Sequence, residues 1–370
     1  MRTIVFLSHF DGNLYLFRLP IMQALAERGW RVIALVPSGA YSPKFAEHGI
    51  EHIPYKINRA GLNPFGAIAA IRAIARTLKR IKPEILHCFT VKPNLYGAIA
   101  GKIAGVPRIY ATVTGLGSYF IDTSYKAVFV RRVILCGYRL AGVLAHKVLF
   151  QNRDDLAFFV DRGIVRREKA AIIGSSGIDT DRWKREGARG EGECVVLSVM
   201  RLIAHKGIHE LIAAARAIRA KHGDNIRFVI VGGRDEGNPS SVSEAQIEAW
   251  QSEQIAGFAL EQMNVKPFYE TADIFVLPSY REGVPRTILE AEAMSLPIVT
   301  TDTVGCRDAI EAGVTGFLVP ARDATLLEAA IERLAVDIAL RRQMGENARA
   351  LAVERFGINA VIARYLELYE

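Results

Sequence analysis

Glu282 and Glu290 stand in the stretch SYREGVPRTILE, directly after the apolar run at 274–278. Carboxylates do not bind phosphate, but they accept hydrogen bonds from sugar hydroxyls. Between the two, Pro285 suits a first helical position, where its missing N–H costs nothing. The amides of Arg286, Thr287 and Ile288 would then be unpaired at a helix N-terminus, aimed at an anion. A diphosphate flanked by a sugar on each side, a nucleotide sugar, is the ligand this layout suits. Two glutamates near a helix start could also simply favour the macrodipole and face solvent. The neighbouring residues weigh against that.

A second constellation is MRLIAHKG at 200–207. Arg201 lies just beyond an apolar run, and Lys206 is expected to open the next helix. Two cations and several amides around one diphosphate would stabilise a leaving phosphate, which is usually among the largest catalytic effects. A solvent-facing arginine and lysine are the plainer alternative.

These residues need strands and helices to hold them. Strand candidates lie at 3–8, 31–37, 51–57, 84–90, 108–114, 147–152 and 170–175, with helical patterns at 14–28, 64–81, 93–104, 125–145 and 154–162. Alternating βα units imply a parallel sheet covered on both faces. The polar, glycine-rich segment 184–193 reads as a linker. The alternation restarts with strands at 195–199, 227–232, 274–277, 298–301 and 317–319. Helices are expected from 206 to about 221, at 324–335 and at 338–353, and the tail 356–370 has helical spacing. Segment 238–262 shows no period and receives no assignment. Two doubly wound α/β domains in tandem are expected, 1–183 and 184–355, with ligands at the carboxyl ends of their sheets.

Charge is unevenly shared. Residues 1–185 hold 28 Lys and Arg against 12 Asp and Glu, whereas 186–370 hold 19 against 27. Only the first half is suited to an anionic partner: nucleic acid, a membrane surface or a phosphorylated substrate. No sequence-reading nucleic-acid motif is present. The four cysteines are far apart and form no C-x-x-C pair, which favours buried free thiols in a reducing compartment. No cluster has metal-ligand spacing. Asp179-Thr-Asp181 looks like the metal-binding D-x-D of another class of sugar transferase, but beside the linker a turn is expected of it. The opening MRTIVFLSHFDGN is too short in its apolar stretch for a signal peptide, and no run of about 18 apolar residues occurs. A cytosolic or membrane-peripheral protein is expected.

Glycine-bearing turns follow the first strand, at Gly12, and the fifth, at Gly115 and Gly117, but neither is a full G-x-G-x-x-G. Segment 64–81 carries Arg72, Arg76, Lys79 and Arg80 on one stripe and Ile68, Ile71, Leu78 and Ile81 opposite. It could be an ordinary surface helix or a basic face on anionic lipid headgroups. Phe120, Tyr125 and Phe129 beside Lys126, Arg131 and Arg132 are further candidates for a membrane interface.

With Arg201, Lys206, the Gly232-Gly233 pair, the run FVLPS at 275–279 and EGVPRTILE at 282–290 in view, the chain resembles the retaining glycosyltransferases of family 4. The resemblance implies the GT-B fold, two Rossmann-like domains facing across a cleft, with the C-terminal helix 356–370 crossing back to the first domain. Within the family the chain is similar to bacterial enzymes that extend undecaprenyl-diphosphate-linked sugars, carried by the stretches at 59–64, 115–118, 232–240 and 278–283. The implied reaction moves N-acetylgalactosamine from UDP to lipid-linked diacetylbacillosamine in protein N-glycosylation, at the inner face of the cytoplasmic membrane and without a metal or other cofactor. The same chemistry with another UDP-sugar and acceptor, in O-antigen or capsule synthesis, is the alternative; a non-catalytic nucleotide-sugar-binding module is another. By resemblance, Glu282 contacts the donor sugar, Glu290 the ribose, and Arg201 and Lys206 the diphosphate. Gly12, Gly233, Arg234, Pro285, Arg286, Thr287 and Ile288 complete the donor side. His9, Arg59, Asn63, Lys92, Thr114, Gly115, Gly117 and Ser118 are expected on the acceptor side. Many family members carry a histidine where this chain has Thr114, so a histidine-centred role at that point is not expected here.

Overall fold

The computed structural model describes every residue except 59–62, 188–191, 236, 239 and 263, and Ser118 by its backbone alone. The chain divides into two compact units, Met1–Ser176 with Val361–Glu370, and Gly177–Ala360.

The described residues of the first unit form seven strands: β1 Thr3–Leu7, β2 Arg31–Leu35, β3 Glu51–Ile53, β4 Ile85–Phe89, β5 Arg108–Val113, β6 Lys147–Phe150 and β7 Ala170–Ile172. All pair in parallel, in the order β3-β2-β1-β4-β5-β6-β7. The helices are α1 Asp11–Glu27, α2 Pro64–Ile81, α3 Val91–Ala104, α4 Tyr125–Leu144 and α5 Arg153–Asp161. The strand order reverses between β1 and β4, and that switch point is where open parallel sheets place ligands.

The second unit repeats the plan with β8 Cys194–Val199, β9 Ile226–Val231, β10 Gly257–Ala259, β11 Ile274–Leu277, β12 Ile298–Thr301 and β13 Gly316–Val319, in the order β10-β9-β8-β11-β12-β13. Its helices are α6 Ile208–His222, α7 Glu244–Ser252, α8 Lys266–Thr271, α9 Arg286–Ala293, α10 Ala324–Val336 and α11 Ile338–Leu351. Here the switch point lies between β8 and β11. Both strands are buried along their whole length, as expected of strands covered on both faces.

A last helix, α12 Ile358–Tyr369, seals the first unit. Val361, Tyr365, Leu366 and Tyr369 are buried in its core. The Tyr369 hydroxyl meets His87 Nδ1 at 2.5 Å, and Arg2 donates to the Tyr369 carbonyl at 2.9 Å.

Three expectations are corrected. The break between units falls after Ser176, not near 184, because the next residues belong to the second unit. Ile178 bridges to Gly357, and Trp183 is buried edge-on against Tyr269. Segment 238–262 contains α7 and β10; α7 opens on a capping box at Ser243 and Gln246 and buries only Ile247 and Trp250. On α2 the buried face is Ala70, Ile74, Ala75 and Leu78, while Ile68 is exposed. The buried stripe is centred about a quarter-turn round the helix from Ile68, which leaves that side chain outside it.

Among the described residues no helix is long and apolar enough to cross a membrane. Cys88, Cys194 and Cys306 are buried free thiols, and Cys136 is exposed.

Candidate active site

At the switch point of the second unit two loops interlock. After β8 the chain runs through Arg201 into a single 3-10 turn, Ala204–Lys206, and α6 starts only at Ile208. Lys206 therefore closes a turn and does not open the helix. Gly207 makes the junction with φ 75°, and a Cβ there would lie 2.1 Å from the Pro278 carbonyl oxygen. Only glycine permits both the left-handed backbone and that approach.

The loop after β11 is clamped from both sides. Tyr280 N–H donates to the His205 carbonyl at 3.0 Å, and Glu282 N–H donates to the Val304 carbonyl at 2.9 Å. Thr303 Oγ1 donates to the Ser279 carbonyl at 2.9 Å. Tyr280 OH reaches Glu210 on α6 at 2.6 Å. The result is that Lys206 Nζ donates to Glu282 Oε1 in a largely buried ion pair. A lysine held beside a carboxylate at a switch point offers one group to a phosphate and the other to a hydroxyl.

Glu290 occupies a tighter place. Pro285 is the N-cap of α9, one position earlier than expected, and its carbonyl accepts from Ile288 N–H at 3.1 Å. The Ile288 amide is thus engaged in the helix instead of being unpaired, and its side chain is core. Glu290 is 7% exposed; it accepts from Arg286 Nε at 3.0 Å and from Tyr269 OH at 3.1 Å. Burial pushes its carboxyl above the ordinary carboxylate value, against the opposing pull of the Arg286 guanidinium. Tyr269 OH also meets the Thr287 carbonyl at 3.2 Å, tying the first turn of α9 to the unit's core.

Arg201 pairs with Asp235 at 2.6 Å on the loop that follows Gly233. Asn238 Nδ2 holds the same Asp235 oxygen at 3.0 Å. Arg234 is engaged elsewhere, donating to the Val242 carbonyl at 3.3 Å and pairing with Glu244 at 3.6 Å. Sequence reading missed Asp235, Tyr269 and Tyr280. Asp235 carries a visible signal, since it follows the Gly232-Gly233 pair at the end of β9, and Tyr280 stands two residues before Glu282; nothing in its neighbours marks Tyr269.

In the first unit, Gly12 lies in the first turn of α1 and not in a loop. Its N–H donates to Asp11 Oδ1 at 2.8 Å, and a Cβ would strike the Phe10 ring at 2.4 Å. Asp11, also missed, is buried and accepts from Tyr41 N–H, Ser42 N–H and Ser42 Oγ, which fixes the loop after β2. His9 follows β1, and its Nδ1 lies 2.6 Å from Thr90 Oγ1 at the end of β4. Lys92 Nζ donates to the Asn58 carbonyl at 2.6 Å, and burial lowers its pKa. Asn63 caps α2 by accepting from Phe65 and Gly66 N–H. Thr114, Gly115 and Gly117 line the turn after β5, the glycines with φ 119° and 73°; Ser118 begins a 3-10 turn. Arg59 lies outside the described residues.

Asp179 and Asp181 form a local turn, Asp179 Oδ1 accepting from the N–H groups of Asp181 and Arg182. Among the described residues no group of three or more His, Cys, Asp or Glu stands together as a metal site would require.

Residues 179–351 match the family described as glycosyl transferases group 1, and residues 4–152 the glycosyl transferase 4-like family. The chain is 33% identical to N,N'-diacetylbacillosaminyl-diphospho-undecaprenol alpha-1,3-N-acetylgalactosaminyltransferase of Campylobacter jejuni, over 99% of this chain and 98% of that one. It is 26% identical to the capsular polysaccharide biosynthesis glycosyltransferase CapM of Staphylococcus aureus, over 91% and 89%. Among solved structures, Anabaena HepE in complex with UDP and glucose shares the fold, with a TM-score of 0.81 at 21% identity over 100% and 99% of the two chains.

Proposed function

The chain belongs to the group 1, 4-like glycosyl transferases, and we propose that it moves N-acetylgalactosamine from UDP to undecaprenyl-diphosphate-linked diacetylbacillosamine, with retention at the anomeric carbon. The observation that carries this reading is the Lys206–Glu282 pair at the switch point of the second unit, in a chain similar over almost its full length to an enzyme named for that transfer.

Lys206 and Arg201 take the charge that builds on the leaving diphosphate, in the role a metal fills elsewhere. Glu282, held by Lys206, accepts from hydroxyls of the donor sugar, and Glu290 from the ribose. The bond from the anomeric carbon to the β-phosphate oxygen breaks. The acceptor hydroxyl oxygen bonds to that carbon on the same face, and its proton passes to the departing phosphate oxygen. No dedicated base is required and UDP leaves. The resemblance to CapM keeps a second reading open: the same chemistry on another lipid-linked acceptor in capsule synthesis.

A panel of UDP-sugars with polyprenyl-diphosphate-linked acceptors tests both. The expected product carries one added N-acetylgalactosamine in the α configuration. Transfer of a different sugar, or to a different acceptor only, moves the assignment to the second reading. Slow release of UDP with no acceptor product would leave a nucleotide-sugar-binding module.

The site of action is the cytoplasmic face of a membrane, and α4 is the surface that supports this. Tyr125, Phe129, Val133, Leu140 and Val143 recur at helical spacing and are exposed, Tyr125 to 97% and Val143 to 68%. Arg132, Arg139 and Lys126 flank the stripe, while Ala127, Tyr138 and Ala141 are buried opposite. Apolar residues rimmed by basic ones on a 20-residue helix suit an anionic interface, at about 1 kcal/mol per basic residue near the surface. Two expected participants drop out: Phe120 packs against Phe158, and Arg131 donates to the carbonyls of Tyr119 and Asp122. Binding to anionic liposomes at low salt should weaken with Phe129→Ser and with Arg132→Glu plus Arg139→Glu. Equal binding by all variants would remove α4 from the reading. No nucleic-acid partner is proposed.

A further inference from the structure

Thr90 follows β4 with φ 75° and ψ 166°. That region is nearly closed to residues with a Cβ, and a β-branched side chain is the worst case. Glycine would take the same backbone without strain. The chain nonetheless places a threonine there, and the surroundings hold it in place. The Thr90 carbonyl accepts from Asn94 N–H at 2.9 Å, the first bond of α3. Asn94 is itself buried, its Nδ2 donating to the Thr112 carbonyl at 2.9 Å. The Thr112 hydroxyl in turn lies 2.6 Å from His87 Nε2. The conformation is therefore imposed from α3 and from the neighbouring strand β5.

What threonine has and glycine lacks is the hydroxyl, and that hydroxyl lies 2.6 Å from His9 Nδ1. The two residues meet because β1 and β4 are parallel neighbours with Leu7 opposite Cys88, so the chain two residues further on brings His9 beside Thr90. This is the switch point of the first sheet, at its carboxyl edge, where a ligand of an open parallel sheet is met. The turn carrying Thr114 and Gly115 leaves β5, next to β4, at the same edge.

We infer that Thr90 is a positioning residue: its strained backbone places the hydroxyl that fixes the His9 imidazole where the acceptor binds. The bond to Nδ1 sets which ring nitrogen carries the proton as well as the ring's orientation. That the substrate at this edge is the acceptor rests on the proposed function; the coupling of the two residues does not.

Four single substitutions, one double variant and three readouts test it. Thr90→Gly should keep or raise the melting temperature, since it relieves the strain, yet lower kcat/KM for the acceptor by roughly tenfold with donor KM unchanged. Thr90→Val, which keeps the shape but not the hydroxyl, should lose as much, and Thr90→Ser should restore most of the activity. Combined with His9→Ala, Thr90→Val should add nothing to the loss from His9→Ala alone. In protein labelled with 15N-histidine, the His9 ring nitrogens should shift in Thr90→Val and stay in place in Thr90→Ser. Wild-type kinetics in Thr90→Gly, additive losses with His9→Ala, or unmoved His9 resonances in Thr90→Val would each overturn the assignment. If the wild type transfers sugar to no lipid-linked acceptor, the proposed function fails, while the His9 resonances still decide the coupling.

Discussion

Lys206 and Glu282 are 76 residues apart in the chain and form one ion pair, with side chains only 17% and 14% exposed. One closes the turn after β8 and the other sits in the loop after β11, so the pair exists only because those two strands are neighbours. Each residue fixes the position of the other, and on the proposed function a nucleotide sugar would meet the pair in that arrangement.

Lys206→Met and Glu282→Gln should each slow transfer by orders of magnitude, and the double variant should lose less than the two combined. Groups in direct contact couple by about 0.5–3 kcal/mol, because each single change also leaves its partner unpaired. Steady-state kinetics around the full cycle measure this. Strictly additive losses would mean the residues act separately.

Glu290→Gln should mainly weaken nucleotide binding. Its carboxylate is held by Arg286 and Tyr269 and is nearly buried, so it is a fixed acceptor and not a mobile one. Loss of a hydrogen bond to a charged group costs about 1.5–3 kcal/mol, or roughly tenfold to a hundredfold in affinity. Titration calorimetry with UDP checks it, and Tyr269→Phe should show a smaller effect in the same direction. Unchanged affinity in Glu290→Gln would remove the ribose contact.

Gly207→Ala should destabilise the protein more than Gly29→Ala, although both glycines have φ between 75° and 79°. An added Cβ meets nothing within 4 Å at Gly29 but would overlap the Pro278 carbonyl at Gly207. The left-handed backbone alone costs about 1–2 kcal/mol; the overlap adds to it and shifts Lys206. Thermal melts should separate the two variants, and only Gly207→Ala should lose transferase activity.

Glu292 should make stability fall as pH rises. It is fully buried on α9, and burial holds its carboxyl well above the ordinary carboxylate value despite the opposing charge of Arg355. A carboxyl whose folded pKa is raised contributes stability below its unfolded value and loses that contribution as pH rises through the folded one. Glu292→Gln removes the titration, so its melting temperature relative to wild type should climb from about pH 5 toward pH 8. A difference that stays flat across that range would contradict the buried acid.

If Arg201 and Lys206 take the charge on the leaving diphosphate, as proposed, transfer should continue at full rate in excess EDTA. Activity lost to the chelator and restored by magnesium or manganese would turn attention to Asp179 and Asp181.

The strands of the first unit are legible in the sequence because each is a short apolar run bounded by turn residues, a property of adjacent residues alone. The same holds for α2, α4 and α10, whose periodic faces and capping residues Asn63, Ser124 and Asp323 mark their starts. The residue types of the candidate site in the second unit are legible too: two glutamates, a lysine, an arginine and a proline at a helix start. Their partners are not. Whether Lys206 meets Glu282, Arg201 meets Asp235, or Thr90 meets His9 depends on which strand ends lie side by side, and sheet order decides that. Segment 238–262 stays silent for a related reason: α7 buries two side chains and β10 is three residues long, too few for a period to emerge. Its structure comes from pairing β10 with β9, a contact between segments distant in the chain. Local pattern determined the elements; the packing of strands that are far apart in sequence decided which charges and hydroxyls face each other.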